Sequence, residues 1–310
     1  TVSGQHSVLA MTVAGTVTHA LGDTNGVNLI VAGTLDVQSG GKIDVTGKGY
    51  RGGFRDGNGN QSGETRGSGG AATTTGGSAN GAGGSYGSLG QGTSPNALYG
   101  SETAPVDLGS GGGVGTSSTS YLGGNGGGRV EITAGSMVID GDVVADGGAP
   151  SGPSFFGGGS GGSIYLKLTG GTISGAGTIR AQGGTGGSNA NGGLGRIAVT
   201  GFAANTLAGT LGTAGTIFTQ AAGANGSLRF DGVTTLTIAT GVTRSFDSIS
   251  FTTGATTINN SGTMSVGTIT SANGATTIYN TGTLELTTDA LKVANLMTLV
   301  QYGIVKSSTR

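Results

Sequence analysis

Short runs in which apolar and polar residues alternate recur along this chain. Lys42-Ile43-Asp44-Val45 and Ser163-Ile164-Tyr165-Leu166-Lys167-Leu168 place an apolar side chain at every second position, the period of a β-strand with one buried face. Gly or Asn-Gly corners bound these runs. Uninterrupted apolar stretches such as Leu29-Ile30-Val31-Ala32 are short. They fall far below the roughly 18 to 20 residues that cross a bilayer, so no membrane span is expected.

The runs also repeat. The segment from Gly254 to Val266 returns 20 positions later as Gly274 to Leu286, and a weaker copy opens at Gly232, 22 positions before Gly254. Near the start, Val13-Ala14-Gly15-Thr16-Val17 is echoed 18 positions on by Val31-Ala32-Gly33-Thr34-Leu35. A period of this size is a solenoid's signature, because one coil cannot bury its apolar row and its neighbours must. The fold class predicted is all-β: one domain over 1–310, a single-stranded parallel β-helix with coils of 18–22 residues. Ile258 then lies over Ile278, Met264 over Leu284 and Val266 over Leu286 as inward ladders. Asn260 over Asn280 forms a corner ladder of amides.

Between these coils, strands alternate with glycine-rich excursions. Gly126-Gly127-Gly128-Arg129-Val130-Glu131-Ile132 recurs at Ser160–Leu166 and Leu194–Val199, spacings of 34 and 33. Exits precede each re-entry, at Ile43–Gly47, Val143–Gly148 and Ile179–Gly184. A long insertion over 47–128 and shorter loops at 147–162 and 183–195 are therefore expected on one flank. Tyr50, Phe54, Tyr86, Leu89, Leu98, Tyr99 and Leu108 supply anchors, and glycine runs can take the extended three-residue polyproline II helix.

The succession Gly47-Lys48-Gly49-Tyr50, Leu108-Gly109-Ser110-Gly111-Gly112-Gly113, Gly126-Gly127-Gly128-Arg129-Val130, Gly157 to Ile164 and Gly195-Arg196-Ile197-Ala198-Val199 resembles the glycine-rich β-helix modules of very large bacterial surface proteins. The C-terminal repeats are more loosely similar to the coils of filamentous haemagglutinin-like and autotransporter adhesins. The resemblance implies an extracellular or cell-surface, elongated, adhesive or structural role, with no catalytic residues to carry over.

Composition narrows the chemistry. Of 310 residues 71 are Gly and none is Cys, which removes disulfides, thiol nucleophiles and iron–sulfur clusters. Fourteen basic against 15 acidic side chains leave a net charge of −1, no footprint for nucleic acid. Gly157, Gly159 and Gly162 match G-x-G-x-x-G, but the motif opens a strand and lacks the helix of a dinucleotide site. Gly41-Lys42 is followed by Ile43, so it is no phosphate loop. Asp140, Asp142 and Asp146 are weak metal candidates beside Gly141. Arg129, Glu131 and Arg196 read as a structural ladder on an outer strand face, and His6 and His19 lack a matching nucleophile. Threonines at 235, 237, 256, 257, 276 and 277 read as strand residues, without the regular T-x-T ladder of a water-ordering face. No enzyme activity and no cofactor are expected.

Both ends are apolar and uncapped. Val8, Leu9 and Met11 at one end, and Leu291, Val293, Leu296 and Leu299 at the other, are the candidate assembly residues. The stretch from Leu291 to Val300 fits an amphipathic helix or further strands. Open ends favour head-to-tail stacking, so the expected function is a non-catalytic subunit or repeat of an extracellular filament or stalk, paired with itself or with neighbouring repeats. The first residue, Thr1, suggests a segment of a longer secreted polypeptide. The alternative is a glycan-binding adhesin or tail-fibre-like domain, with Tyr50, Phe54, Tyr86 and Tyr99 as exposed ligand contacts.

Overall fold

The protein is described by a computed structural model over residues 1–115, 119–151, 156–208, 210–211, 215–252, 255–271, 276–293 and 297–307, with backbone alone at 210 and 289–293. The repeat positions Gly254 and Gly274 and the candidate Leu296 lie outside the described residues. Strands dominate; a 3-10 turn at Ser68–Gly70 is the one helical element among the described residues.

Long parallel sheets carry the fold, a solenoid-like arrangement. The largest runs from Gly4–Val8 through Val27–Val37, Arg129–Ile139, Ser163–Leu168, Arg196–Phe202 and Thr216–Ala221 to Ser227–Phe230, Thr243–Phe251, Thr263–Ser271, Thr283–Val293 and Ile304–Ser307. A second sheet joins Thr16–Val17, Lys42–Asp44, Asp142–Val144, Thr178–Arg180 and Thr210–Leu211. A third joins Thr234–Ile238, Thr256–Asn260, Thr276–Asn280 and Met297–Gln301. In the stretch after Asp289 that left helix and strand open, the described residues up to Val293 and from Met297 to Val300 are strand.

Register stacks like side chains. Val27, Val130, Ile164, Ile197 and Ile217 form one buried column across five strands. In the C-terminal repeats Ile258 pairs with Ile278, Met264 with Leu284 and Val266 with Leu286. Successive Cβ atoms of a strand point to opposite faces, so a constant register keeps apolar rows continuous.

In the large sheet the expectation of uniformly parallel coils fails at one place among the described residues. Thr216–Ala221 pairs antiparallel with Ser227–Phe230, through a turn in which Gly223 and Gly226 take φ of 79° and 90°. These glycines permit a left-handed turn without a Cβ penalty. Strands after the turn run opposite to those before it, and the core changes face. The column Asn28, Glu131, Tyr165, polar or half-buried at first, continues as Ala198, Phe218, Leu228, Ile249 and Ile269, all buried. Conversely, the column that ends at Ile217 continues as Arg229, Ser250 and Thr270. Two apolar clusters result, one around Val27, Ile132 and Val199, the other around Phe230, Ile249 and Met264. Arg196–Val199 is buried at every position because both faces of that strand are covered.

Glycine-rich segments hydrogen-bond one another in a three-fold rotation. Along 157–162, Gly157 and Ser160 donate to the carbonyls of Gly113 and Ser110, Gly158 and Gly161 to Ala190 and Gly193, and Gly159 and Gly162 to Gly148 and Ala145. The same segment accepts from Gly124 and Gly127, from Gly84 and from Gly184. Three residues per turn direct successive amides to three different neighbours, the habit of a polyproline II helix satisfied laterally. Such close packing leaves no room for side chains: a Cβ on Gly158 would overlap the Gly184 carbonyl oxygen.

Candidate functional site

Two regions have the exposure and chemistry of a site: the free sheet edges, and a cavity where the glycine-rich segments meet the C-terminal strands. At the first edge, Val8 is 41% and Leu9 84% exposed, while Met11 is half-buried and pairs in register with Leu35. At the other, Leu299 on the outermost strand of the third sheet is 41% exposed. Leu291 and Val293 sit one strand inside, paired with Ile269 and Ser271, so they are not edge residues. Sequence reading missed Tyr302, Ile304 and Val305, at 80%, 55% and 42% exposure. Their signal, Ile304-Val305 following Gly303, is an apolar pair too brief to stand out.

The amide ladder lies beside that edge. The Asn260 Nδ2 donates to the Asn280 Oδ1 at 2.6 Å and to the Thr283 carbonyl at 2.8 Å. Asn280 in turn donates to the Gln301 Oε1 at 3.1 Å and the Ile304 carbonyl at 3.0 Å. A row of buried amides polarises along its length, and its last member, Gln301, is exposed at the terminal strand.

The cavity, about 640 Å³, is lined by Leu89, Leu98, Tyr99, Ser101, Glu102, Arg196, Thr235, Thr237 and Arg244. Arg196 is not on an outer face, as expected, but 2% exposed. The glycine-rich segments cover its strand: its Nη2 donates to the Tyr99 and Tyr86 carbonyls at 3.1 and 3.4 Å, and its Nη1 lies 3.1 Å from the Glu102 Oε1. The guanidinium also stacks 5.3 Å from the centre of the Tyr86 ring. Arg129 lies two strands away in register, with Ser163 between, and pairs instead with Glu131. Lys167 joins that pair at 2.7 Å, and these partners hold the Glu131 carboxyl below its ordinary value against the opposing effect of burial.

The aromatic candidates are displaced from solvent. Tyr50 and Tyr86 are 2% and 0% exposed, which removes them as surface ligand contacts. The Tyr50 hydroxyl donates to the Gly70 carbonyl at 2.6 Å, and burial pushes its pKa up to about 12. Phe54 is half-buried with φ of 52°. Tyr99 alone borders the cavity; its hydroxyl donates inward to the Leu108 carbonyl at 2.5 Å.

The three aspartates are not brought together. Asp140 accepts from the Ala176 amide, Asp142 pairs with Lys42 at 3.4 Å, and Asp146 pairs with Arg180 at 2.7 Å. Among the described residues no three His, Asp or Glu side chains gather as a metal set, and no helix is long and apolar enough to cross a membrane. His19 is buried and structural: its Nε2 accepts from the Arg129 amide at 3.1 Å, which fixes the proton on Nδ1, 2.7 Å from the Ala20 carbonyl.

No family model, curated protein or solved structure matches this chain.

Proposed function

We propose that this chain is a structural, non-catalytic module of an extracellular filament, stalk or surface fibre, built as a β-helix with a glycine-rich insertion on its flank. The observation that carries the reading is the pair of exposed apolar sheet edges, Val8-Leu9 at one end and Ile304-Val305 at the other. A strand edge presents unpaired amides and carbonyls as a template for another strand. A second copy, or adjoining coils of a longer surface polypeptide of the glycine-rich kind, satisfies both the hydrogen bonds and the apolar rows. Because the chain reverses direction at 216–230, a translational stack sets Ile304–Ser307 antiparallel to the next Gly4–Val8, repeating the pairing already present between Thr216–Ala221 and Ser227–Phe230.

Electron microscopy and X-ray fibre diffraction of the purified chain at rising concentration test this. Fibres with a repeat near 4.8 Å along their axis are expected. Leu9→Lys combined with Ile304→Lys should abolish them, since charge on an edge opposes pairing. A monomer at every concentration would overturn self-assembly and assign the edges to adjoining coils of one polypeptide.

A further inference from the structure

We propose that the cavity between the glycine-rich segments and the C-terminal strands binds an acidic saccharide, with the Arg244 guanidinium taking its carboxylate. This is independent of the assembly reading, since the cavity touches neither sheet edge.

Arg244 breaks the pattern of its own column. It lies in register with Met264 and, beyond that, Leu284, which are 0% and 1% exposed core residues, yet at this rung the repeat carries a cation and the side chain is exposed. A charge placed where its repeats keep an apolar side chain gives up burial and needs another reason to be there. Among the described residues Arg244 forms no ion pair; its Nη1 reaches only the Thr103 hydroxyl, at 3.4 Å. Arg196, at the back of the same cavity, is already engaged by Glu102, and its Nε has no hydrogen-bond partner although it is buried. The two guanidiniums against one carboxylate leave the cavity positive in a chain that is otherwise near neutral.

The rest of the lining suits a sugar. Hydroxyls of Ser101, Thr235 and Thr237 and the carboxylate of Glu102 offer donors and acceptors for ring hydroxyls, while the Tyr99 ring, Leu89 and Leu98 supply an apolar wall for the C–H face of a pyranose. At about 640 Å³ the space is within the range of small-ligand sites. Guanidinium meets carboxylate in a fork of parallel hydrogen bonds, which separates a uronate from a neutral sugar.

Isothermal titration of the whole chain with a short glucuronate-containing oligosaccharide tests the proposal, beside the same oligosaccharide with its carboxylates reduced to alcohols, and beside acetate and inorganic phosphate. Saturable binding of the acidic oligosaccharide is expected, with Arg244→Gln weakening it by about tenfold or more, the factor one charge-assisted bond carries. Thr237→Val, which keeps every charge, should weaken it less and leave the preference for the acidic form. Unchanged melting of both variants and unchanged light scattering would separate a lost ligand contact from lost folding or assembly. If Arg244→Gln does not fold, hydroxyl-radical footprinting of the unaltered chain decides, with protection of Tyr99 and Leu98 by the acidic oligosaccharide expected. Equal binding of the reduced oligosaccharide, equal binding of acetate or phosphate, an Arg244→Gln affinity like that of the parent, or no protection would overturn the proposal.

Discussion

Ser160 and Ser110 are joined twice. The Ser160 amide donates to the Ser110 carbonyl at 2.9 Å, and the Ser110 amide donates to the Ser160 hydroxyl at 2.8 Å. In the middle of a glycine-rich segment, a hydroxyl therefore stands in for a missing carbonyl acceptor. Both residues are fully buried, away from bulk solvent. Ser160→Ala removes that acceptor and should cost about 1–3 kcal/mol, the penalty of a buried unpaired amide, read as a lower urea midpoint at unchanged slope.

Glycine is demanded by space at some positions and by nothing at others. A Cβ at 158 overlaps backbone on a neighbouring segment, whereas one at Gly59 meets nothing within 4 Å, with no left-handed φ to forbid it. Gly158→Ala should lower the denaturation midpoint by more than Ser160→Ala does, because backbone cannot swing aside. Gly59→Ala should raise stability by about 0.4–1 kcal/mol through reduced freedom of the unfolded chain.

Asn280 holds the amide ladder from both sides, accepting from Asn260 and donating to Gln301 and the Ile304 carbonyl. Replacement by Leu leaves the Asn260 amide and the Ile304 carbonyl without that partner. A loss of about 2 kcal/mol or more is expected. Amide hydrogen exchange should accelerate first in Met297–Gln301 and Ile304–Ser307, the strands nearest the break.

His19 sets an acid limb of stability. Burial lowers its pKa below the ordinary 6.5, and protonation would also destroy the acceptor that the Arg129 amide uses. The folded state binds this proton less readily than the unfolded chain, so the stabilisation is complete above pH 6.5 and declines as pH falls toward the folded pKa. The slope is at most about 1.4 kcal/mol per pH unit. Denaturant midpoints between pH 7.5 and 5 measure it, and His19→Gln should flatten this part of the curve.

Buried tyrosines set an alkaline limb. Burial raises the pKa of Tyr50 to about 12 and pushes Tyr86 and Tyr99 up as well. A group whose folded pKa lies above its unfolded value stabilises below pH 10 and loses that contribution as pH climbs. Titration followed by tyrosinate absorbance should show these residues ionising late and together with unfolding, and Tyr50→Phe should reduce the loss.

Columns of like side chains were written in the chain. The 20-residue repeat placed Ile258 on Ile278, Met264 on Leu284 and Asn260 on Asn280, because a β-coil's register follows directly from its sequence period. Alternation named the strands around Ile43, Ile164 and Ile197, and the glycine runs named the segments that leave them. What alternation does not encode is which face a neighbour will cover. Ala198 and Phe218 occupy a column that is Glu131 and Tyr165 two strands earlier, and they became core only because the turn at Gly223 and Gly226 folded the later coils onto the other side of the sheet. The glycine-rich segments that cover its strand put Arg196 inside, and the reversal drew Arg244, nearly fifty residues away in sequence, to the same cavity. Burial is a property of what packs against a residue, and in the glycine-rich segments those partners come from six separate stretches of chain. Sequence period therefore determined the ladders, while the single reversal of the sheet and the lateral packing of glycine backbones decided the two cores, the buried tyrosines and the site.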